Sequence, residues 1–183
     1  KAFRDTWRDG IHSYLTYLVP SWMKAEDGGA PRGPINARAE TAASKPMFRS
    51  AMKGRRCVVP TTGFYEWQKR DRGPKQPYLV SPAGDRFLAL AGLWERWRGP
   101  DGQRLESYAI LTTDANATVR PIHDRMPVVL DPGEFDRWLD PDTPADAAAE
   151  LLDPFADAGV EAASIGRAIN NPKNDAPEAV VRQ

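Results

Sequence analysis

The chain has 183 residues, with 25 Lys and Arg against 25 Asp and Glu, 41% hydrophobic residues and one Cys. This length fits one domain over residues 1–183, and the zero net charge argues against a protein that coats polyanions by bulk attraction. One Cys and two His exclude a disulfide framework and most zinc sites, and no glycine-rich phosphate loop occurs, so we expect no cofactor and no metal.

No apolar run approaches the roughly 20 residues that span a bilayer, and the first residues do not form a signal peptide. We therefore expect a soluble, cytoplasmic protein with no membrane partner.

The pattern of short runs predicts an α+β fold with mainly antiparallel sheets and a few peripheral helices. β-branched and aromatic runs between Pro and Gly turns are typical of strands. The predicted strands are Cys57–Val59, Gly63–Gln68, Pro77–Ser81, Phe87–Trp94, Leu105–Thr113, Met126–Leu130 and Val160–Ile165, with a further β-prone run at Tyr14–Val19.

Turn-rich composition predicts a surface loop over residues 25–35. The sequence Arg98-Gly99-Pro100-Asp101-Gly102 predicts the turn of a hairpin into Leu105–Thr113. The predicted helices are Pro46–Met52, Pro132–Leu139 and Pro144–Leu152, the last two with proline in the first turn.

Charge is unevenly distributed along the chain. Residues 36–75 contain ten Lys and Arg against three acids, whereas residues 131–161 contain ten acids and one Arg. This asymmetry permits an electropositive face for a phosphate ligand, although two solvated surfaces of opposite sign would give the same pattern.

The segment Ile35-Asn36-Ala37-Arg38-Ala39-Glu40 places polar side chains at alternate positions. If the segment is extended, Asn36, Arg38 and Glu40 lie on one face, because side chains in a strand repeat every two residues. Such a face suits a pocket wall, and it is equally typical of an exposed strand with a surface ion pair.

Glu66 stands among aromatic residues in Gly63-Phe64-Tyr65-Glu66-Trp67. An aromatic pocket would raise the pKa of its carboxyl through desolvation, which suits a general acid or base near neutral pH. Alternatively, Glu66 points outward while Tyr65 and Trp67 fill the core.

His123 is the second candidate for proton transfer, since histidine is the usual proton shuttle near neutral pH. It lies in Ile122-His123-Asp124-Arg125-Met126-Pro127, where Asp124 or Arg125 could tune it. A hydrogen-bonded structural His is the alternative. Cys57 lies in an apolar run typical of a buried strand, and we interpret it as structural because burial raises the pKa of a thiol.

Six Trp residues are present, and Trp22 follows Leu18-Val19-Pro20-Ser21 beside the predicted loop. An exposed indole near Arg and Lys can stack on a base of single-stranded nucleic acid. Tryptophans more often fill protein cores.

Together these segments resemble the SOS response-associated peptidase (SRAP) family, whose members recognise abasic sites in single-stranded DNA. The segments that match the family are Leu18–Trp22, Ile35–Thr41, Arg55–Pro60, Gly63–Trp67, Ala91–Trp94, Ile110–Thr113, Ile122–Pro127 and Asn170–Asp175. The resemblance implies a barrel-like fold and a DNA-damage function.

The resemblance also implies a chemical mechanism. Family members remove their initiator Met and expose an N-terminal Cys, which captures the abasic-site aldehyde as a Schiff base and then as a thiazolidine crosslink. By this resemblance, Asn36 holds the amine and the sugar, while Glu66 and His123 move protons.

The resemblance likewise suggests DNA contacts by Arg38, Arg125, Trp22 and Pro20. Arg38 and Arg125 would hold the phosphates around the lesion. The partner is single-stranded DNA with abasic sites, bound by a monomer near the nucleoid.

Two features depart from the family. Its N-terminal Cys-Gly-Arg segment is absent from these residues, and Thr16-Tyr17 stands where the family usually has Trp-Gly. We expect that the chain lacks its N-terminal segment. A diverged module that binds single-stranded DNA non-covalently is the alternative, and a Cys57/His123 thiol peptidase is a third hypothesis.

Overall fold

The computed structural model describes residues 17–25, 29, 31–84, 87–100, 102–171 and 173–174. The strands in this part of the chain are β1 (Asn36–Arg38), β2 (Arg56–Thr61), β3 (Phe64–Gln68), β4 (Gln76–Pro82), β5 (Leu88–Arg98), β6 (Arg104–Asp114), β7 (Arg125–Pro127) and β8 (Val160–Ser164). The α-helices are α1 (Ala39–Ala42), α2 (Arg49–Met52), α3 (Phe135–Leu139) and α4 (Ala145–Ala149), and short 3₁₀ turns cover Pro132–Glu134, Asp157–Gly159 and Arg167–Asn170.

The strands form two sheets. The first has the order β1-β6-β5-β2 with β7 also paired to β6, and the second has the order β3-β4-β8. Every pair of these strands is antiparallel except β1 with β6. This confirms the predicted mainly antiparallel α+β fold, but across the described residues the two sheets stay separate and do not close into a barrel.

The hairpin of β5 and β6 is the longest paired element. Its turn is closed by a hydrogen bond from the Gly99 N–H to the Gln103 carbonyl oxygen over 2.8 Å. Gly102 has φ of +82°, a conformation that glycine adopts without a steric penalty. The predicted hairpin is confirmed.

Beyond the pair Gly92 and Ile110, β5 and β6 separate, and the segment from β7 onward fills the gap. Thr112 of β6 pairs with Pro127, while the Ala91 N–H of β5 donates to the Val128 carbonyl oxygen over 2.9 Å. The predicted extended segment Met126–Leu130 is therefore confirmed, although its regular strand ends at Pro127.

Two hydrophobic clusters cover the two faces of the first sheet. The first cluster lies between this sheet and the helices, and it includes Leu18, Ala51, Met52, Leu93, Ala109, Leu111 and Trp138. The second lies between the two sheets and includes Val80, Leu88, Leu90, Met126, Val129 and Val160, with Phe64 and Ile110 packed against it. Among the described residues, no helix is long and apolar enough to cross a membrane.

The structure corrects three local predictions. Residues 14–16 lie outside the described part, and the remainder of the predicted run Tyr14–Val19 is not a strand: the Val19 N–H donates to the Ser107 hydroxyl over 2.9 Å instead. The predicted helices at Pro46–Met52 and Pro144–Leu152 are shorter, with α-helical conformation only over α2 and α4.

Arg56 connects strand β2 of the first sheet to helices α2 and α3. Arg56 is 5% exposed, and its guanidinium donates to the backbone carbonyl oxygens of Met52, Trp138, Asp140 and Thr143. Burial lowers the pKa of Arg56, and these carbonyl groups replace the water that the cation has lost. The ends of α2 and α3 are thereby attached to the start of β2.

We predict that Arg56→Met destabilises the fold by about 3 kcal/mol or more, since four carbonyl oxygens lose a charged donor. The control is Arg96→Met, whose ion pair with Glu106 lies on the surface with 53% of the Arg96 side chain exposed. That control should cost at most about 1 kcal/mol. Urea unfolding monitored by tryptophan fluorescence measures both, and equal losses would contradict the role of Arg56.

Candidate functional site

Glu66 lies in the middle of β3, on the strand face that turns toward the first sheet. Phe64, two positions earlier on the same face, packs against the second cluster. Tyr65 faces the other way and is 37% exposed. The alternative in which Glu66 points outward while Tyr65 and Trp67 fill the core is therefore wrong.

Desolvation raises the pKa of the Glu66 carboxyl above the ordinary glutamate value, as the sequence predicted. The charges of His123 and Lys75 lower the pKa of Glu66, whereas the charge of Asp124 raises it further. The half-buried carboxyl and the imidazole are thus electrostatic neighbours although 57 positions separate them in the sequence. A carboxyl with a raised pKa beside a histidine is suited to proton transfer near neutral pH.

The segment before β7 carries His123 and is attached to β3. Gln68, on the same strand face as Glu66, donates from Nε2 to the Pro121 carbonyl oxygen over 2.8 Å. The Nδ1 atom of His123 accepts the Arg125 N–H over 3.0 Å and lies 3.2 Å from Oδ1 of Asp124. With Nδ1 as an acceptor, the ring proton is on Nε2, and a protonated ring can donate to Asp124 instead.

Asn36 and Arg38 lie in β1, the parallel partner of β6. Their register partners are Ile110 and Thr112, and Ile110 packs against the second cluster. Both polar side chains are exposed and project to the sheet face that the second sheet covers, which is the face that Glu66 approaches. Ala37 between them is 1% exposed, so the predicted alternation is confirmed over these three residues.

Glu40 does not continue this ladder, because the chain turns into α1 after Arg38. Its carboxylate instead binds Arg125, with Oε1 2.6 Å from Nη1 and Oε2 3.0 Å from Nη2. This hydrogen bond lowers the pKa of Glu40. The expectation that Asn36, Arg38 and Glu40 share one strand face is wrong for Glu40.

Arg38 and Arg125, which the sequence grouped together, have different surroundings. The Arg125 guanidinium also donates to Asp114 over 2.8 Å and to the Thr112 carbonyl oxygen, and its buried Nε has no partner among the described residues. Within that same part of the chain, no hydrogen bond or ion pair engages the guanidinium of Arg38. The charge of Arg38 acts on Glu40 only from a distance, so its guanidinium can bind an anion, whereas the charge of Arg125 is largely neutralised.

Sequence reasoning missed Lys75 and the carboxylates around Arg125. Lys75 immediately precedes β4, whose Gln76 pairs with Gln68 of β3. Reading residues 64–82 as one hairpin would have placed Lys75 in the turn that follows β3, within electrostatic range of Glu66. The described residues contain no group of three or more His, Cys, Asp and Glu that could hold a metal ion.

The two candidate DNA contacts before residue 25 differ in exposure. Trp22 is 59% exposed and can meet a ligand, whereas Pro20 is buried. The N–H of Met23 donates to the Pro20 carbonyl oxygen over 3.0 Å, so Pro20 shapes the turn that presents Trp22.

Cys57 lies in β2, on the same face of the first sheet as Ile110 and Asn36, but at the far side of the sheet from β1. It pairs with Gly92 on β5, and Gly92 pairs with Ile110 on β6, so two strand spacings of about 5 Å each separate Cys57 from β6. Desolvation raises the pKa of the thiol to about 12. This spacing and the raised pKa argue against a Cys57/His123 catalytic pair and support the interpretation of Cys57 as structural.

The sequence of this chain is similar to a known protein family and to characterised relatives. The family model of the SOS response associated peptidase (SRAP) matches residues 8–172. The abasic site processing protein YoqW of Bacillus subtilis (strain 168) is 39% identical over 164 residues, which cover 89% of this chain and 72% of YoqW. The abasic site processing protein HMCES of Xenopus tropicalis is 36% identical over 185 aligned positions, covering 89% of this chain and 54% of that protein.

A crystal structure of a protein from Bacteroides thetaiotaomicron has a similar fold. Its TM-score is 0.82 at 31% sequence identity, and the match covers 93% of this chain and 75% of that chain. The similarity therefore extends over nearly the whole described architecture.

We predict that Cys57 resists a thiol reagent in the folded protein at pH 8, because a pKa of about 12 leaves roughly one thiolate in ten thousand thiols. Cys57 is the single cysteine of the sequence, so the reaction with a chromogenic disulfide reports on it alone. The same protein in urea is the positive control and should react fully. Rapid stoichiometric labelling without urea would contradict the burial of this thiol.

Proposed function

Because this chain belongs to the SOS response-associated peptidase family, we propose that it processes abasic sites in single-stranded DNA. The observation that carries the proposal is the desolvated carboxyl of Glu66, which is an electrostatic neighbour of His123 and faces the side of the first sheet that bears Asn36 and Arg38. YoqW and HMCES are named for abasic site processing. Their similarity extends over the segments that carry all four residues.

The proposed chemistry is covalent capture of the lesion by an N-terminal Cys of the encoded protein. Its amine attacks the aldehyde of the ring-opened sugar, and loss of water gives a Schiff base. The thiol sulfur then adds to the imine carbon while its proton goes to the nitrogen, which closes a thiazolidine. Each step moves a proton near neutral pH, and this is the task of a general acid and base.

The residues of the site suit these steps. The raised pKa of Glu66 allows its carboxyl both to give and to take a proton during ring opening and imine formation. His123 is the second acid and base, since its Nδ1 can accept the Arg125 N–H or donate to Asp124. Asn36 would orient the amine and the sugar from β1. The same groups would serve removal of the initiator Met.

The DNA backbone would be held mainly by Arg38. Its guanidinium has no hydrogen-bond partner within the described ranges and can bind a phosphate, whereas both terminal nitrogens of Arg125 are occupied by Glu40, Asp114 and Thr112. Arg125 would affect DNA binding indirectly, because it fixes the position of α1 relative to β7. It would contact a phosphate directly only after its guanidinium had released Glu40 or Asp114. Exposed Tyr65 and Trp22 are available to stack on bases.

The second candidate function is non-covalent binding of single-stranded DNA. It shares the exposed Arg38 and the aromatic surface but needs no nucleophile, and the raised pKa of Cys57 makes that thiol a poor one. The N-terminus of the encoded protein discriminates between the two candidates.

The test is an intact-mass spectrum of the natively encoded protein before and after incubation with an abasic single-stranded oligonucleotide. We expect a protein that begins with Cys and gains the mass of one oligonucleotide minus water. A protein without that Cys, and without an adduct although it binds the oligonucleotide, would support non-covalent binding.

For Arg38→Ala we expect weaker binding to single-stranded DNA whatever its base sequence, because a phosphate contact is lost. The slope of log K against log salt should fall by about 0.7, the value for one phosphate of a single strand. Fluorescence anisotropy at several salt concentrations measures this slope. The control is Arg137→Ala, which removes the same charge from the acidic region of the chain. An unchanged slope would remove Arg38 from the binding site.

For Glu66→Gln we expect binding to stay within about twofold while covalent capture slows by 10²-fold or more, on the order of one general acid–base residue. In the wild type the capture rate should rise with pH through the pKa of Glu66, above the ordinary glutamate range, because the ionised carboxylate is the base. This rise of the capture rate with pH should be absent from Glu66→Gln. Single-turnover crosslinking from pH 4 to 8 measures it, with Asp153→Asn as control, and collapse of binding would make Glu66 structural.

A further inference from the structure

Gln68 connects the strand that carries Glu66 to the segment that carries His123. It lies two positions after Glu66 in β3, so the two side chains project from the same face of the strand. From this face the Gln68 amide donates through Nε2 to the Pro121 carbonyl oxygen over 2.8 Å. Pro121 lies two positions before His123 in the sequence. One side chain thus joins the two elements that carry the proposed acid and base.

A second hydrogen bond holds the amide of Gln68 in the orientation that this contact requires. Tyr78, which pairs with Glu66 across β3 and β4, donates from its hydroxyl to Oε1 of Gln68 over 3.3 Å. Because Oε1 accepts this hydrogen bond, Nε2 is the amide atom that donates to Pro121. Both Gln68 and Tyr78 are half-buried. The tyrosine therefore restricts rotation of the amide and keeps its donor directed at the carbonyl group.

The segment on the other side of this contact is a turn that is closed by its own hydrogen bonds. The N–H groups of Ile122 and His123 both donate to the Val119 carbonyl oxygen, over 2.8 and 3.0 Å. Val119 is fully buried and belongs to the second cluster. Because the turn is closed in this way, a hydrogen bond that fixes Pro121 also fixes the position of His123.

The hydrogen bond from Gln68 crosses between the two sheets. β3 belongs to the second sheet, whereas β7, which follows His123, belongs to the first. Phe64 of β3 and Val119 also meet in the second cluster, but apolar packing is not directional. A hydrogen bond prefers a narrow range of distances and angles, so it restricts how the turn is placed against β3.

Proton transfer depends on the relative position of the groups involved, and a displacement of about 1 Å can slow a reaction about 10²-fold. We propose that Gln68 is a positioning residue, which sets the place of His123 relative to Glu66 through the Pro121 carbonyl oxygen. Gln68 itself moves no proton. Its effect on lesion capture rests on the proposed function, whereas its effect on the position of His123 does not.

The first test measures the pKa of the Glu66 carboxyl in the natively encoded protein, by NMR of the carboxyl carbon assigned through Glu66→Gln. Among the charges that act on it, His123 and Lys75 lower this pKa and Asp124 raises it, with His123 having the largest effect. Gln68→Met keeps the side-chain length but cannot donate, so the turn moves away and the pKa of Glu66 should rise. His123→Asn should also raise it, but should add little in Gln68→Met.

The matched control is Gln103→Met, which makes the same replacement at an exposed position of the β5–β6 hairpin. The pKa of Glu66 should not change in this control. An unchanged pKa of Glu66 in Gln68→Met, or an equal rise in the control, overturns the proposal. It is also overturned if His123→Asn has the same effect with and without Gln68, because His123 would then have kept its place.

The second test measures single-turnover capture of an abasic oligonucleotide. We expect Gln68→Met to slow capture about tenfold without changing the affinity for the oligonucleotide, because acid and base are displaced but no DNA contact is lost. Tyr78→Phe should slow capture less, since it removes only the partner of Oε1. In the His123→Asn background, Gln68→Met should change the rate by less than about twofold. A tenfold loss that persists there would mean that Gln68 acts on β3 and not through His123.

The two measurements separate this inference from the proposed function. If the wild type captures no lesion, the proposed function fails, and the pKa of Glu66 still decides whether Gln68 places His123. If the wild type captures the lesion but the pKa of Glu66 does not respond to Gln68→Met, the inference alone is wrong. If the pKa responds and capture does not slow, the position of His123 has no part in capture, and the inference is wrong as stated.

Discussion

The separation of β5 from β6 beyond Gly92 and Ile110 is the constraint on which the site depends. Buried backbone groups must be paired, so a third segment has to enter the gap, and residues 125–130 do so by pairing with both strands. This fixes Arg125 opposite Asp114 and brings His123 to the rim of the first sheet. A long hairpin without that separation would leave no place for the His123 segment beside β3.

Helices cover one face of the first sheet, and the second sheet covers the other face. The molecule therefore has two separate surfaces. The face under the second sheet is polar at its edge, where β1 presents Asn36 and Arg38 and β3 presents Glu66. The opposite face is covered by short helices, and Arg56 fastens them through backbone carbonyl groups. We place lesion chemistry on the first surface.

Electrostatics within the site depend on partners that are distant in sequence. Arg38 and Arg125 are chemically alike, but among the described residues Glu40 and Asp114 form ion pairs with Arg125 and not with Arg38, whose charge acts on Glu40 from farther away. The pKa of Glu66 is raised because the packing of β3 against the first sheet removes water from its carboxyl. Neither difference is visible in the local sequence, since both arise from groups on other strands.

The sequence by itself determined most of the strands, the β5–β6 hairpin and the residue types of the site, because alternation and turn residues act locally. It also identified the family and the structural role of Cys57. Only the tertiary structure decided that Glu66 lies near the charge of His123 and that Glu40 turns into α1 to bind Arg125. These contacts join segments that are distant in the sequence, and they also depend on how much water each side chain loses. Both the pairing and the desolvation are determined only when the two sheets pack together.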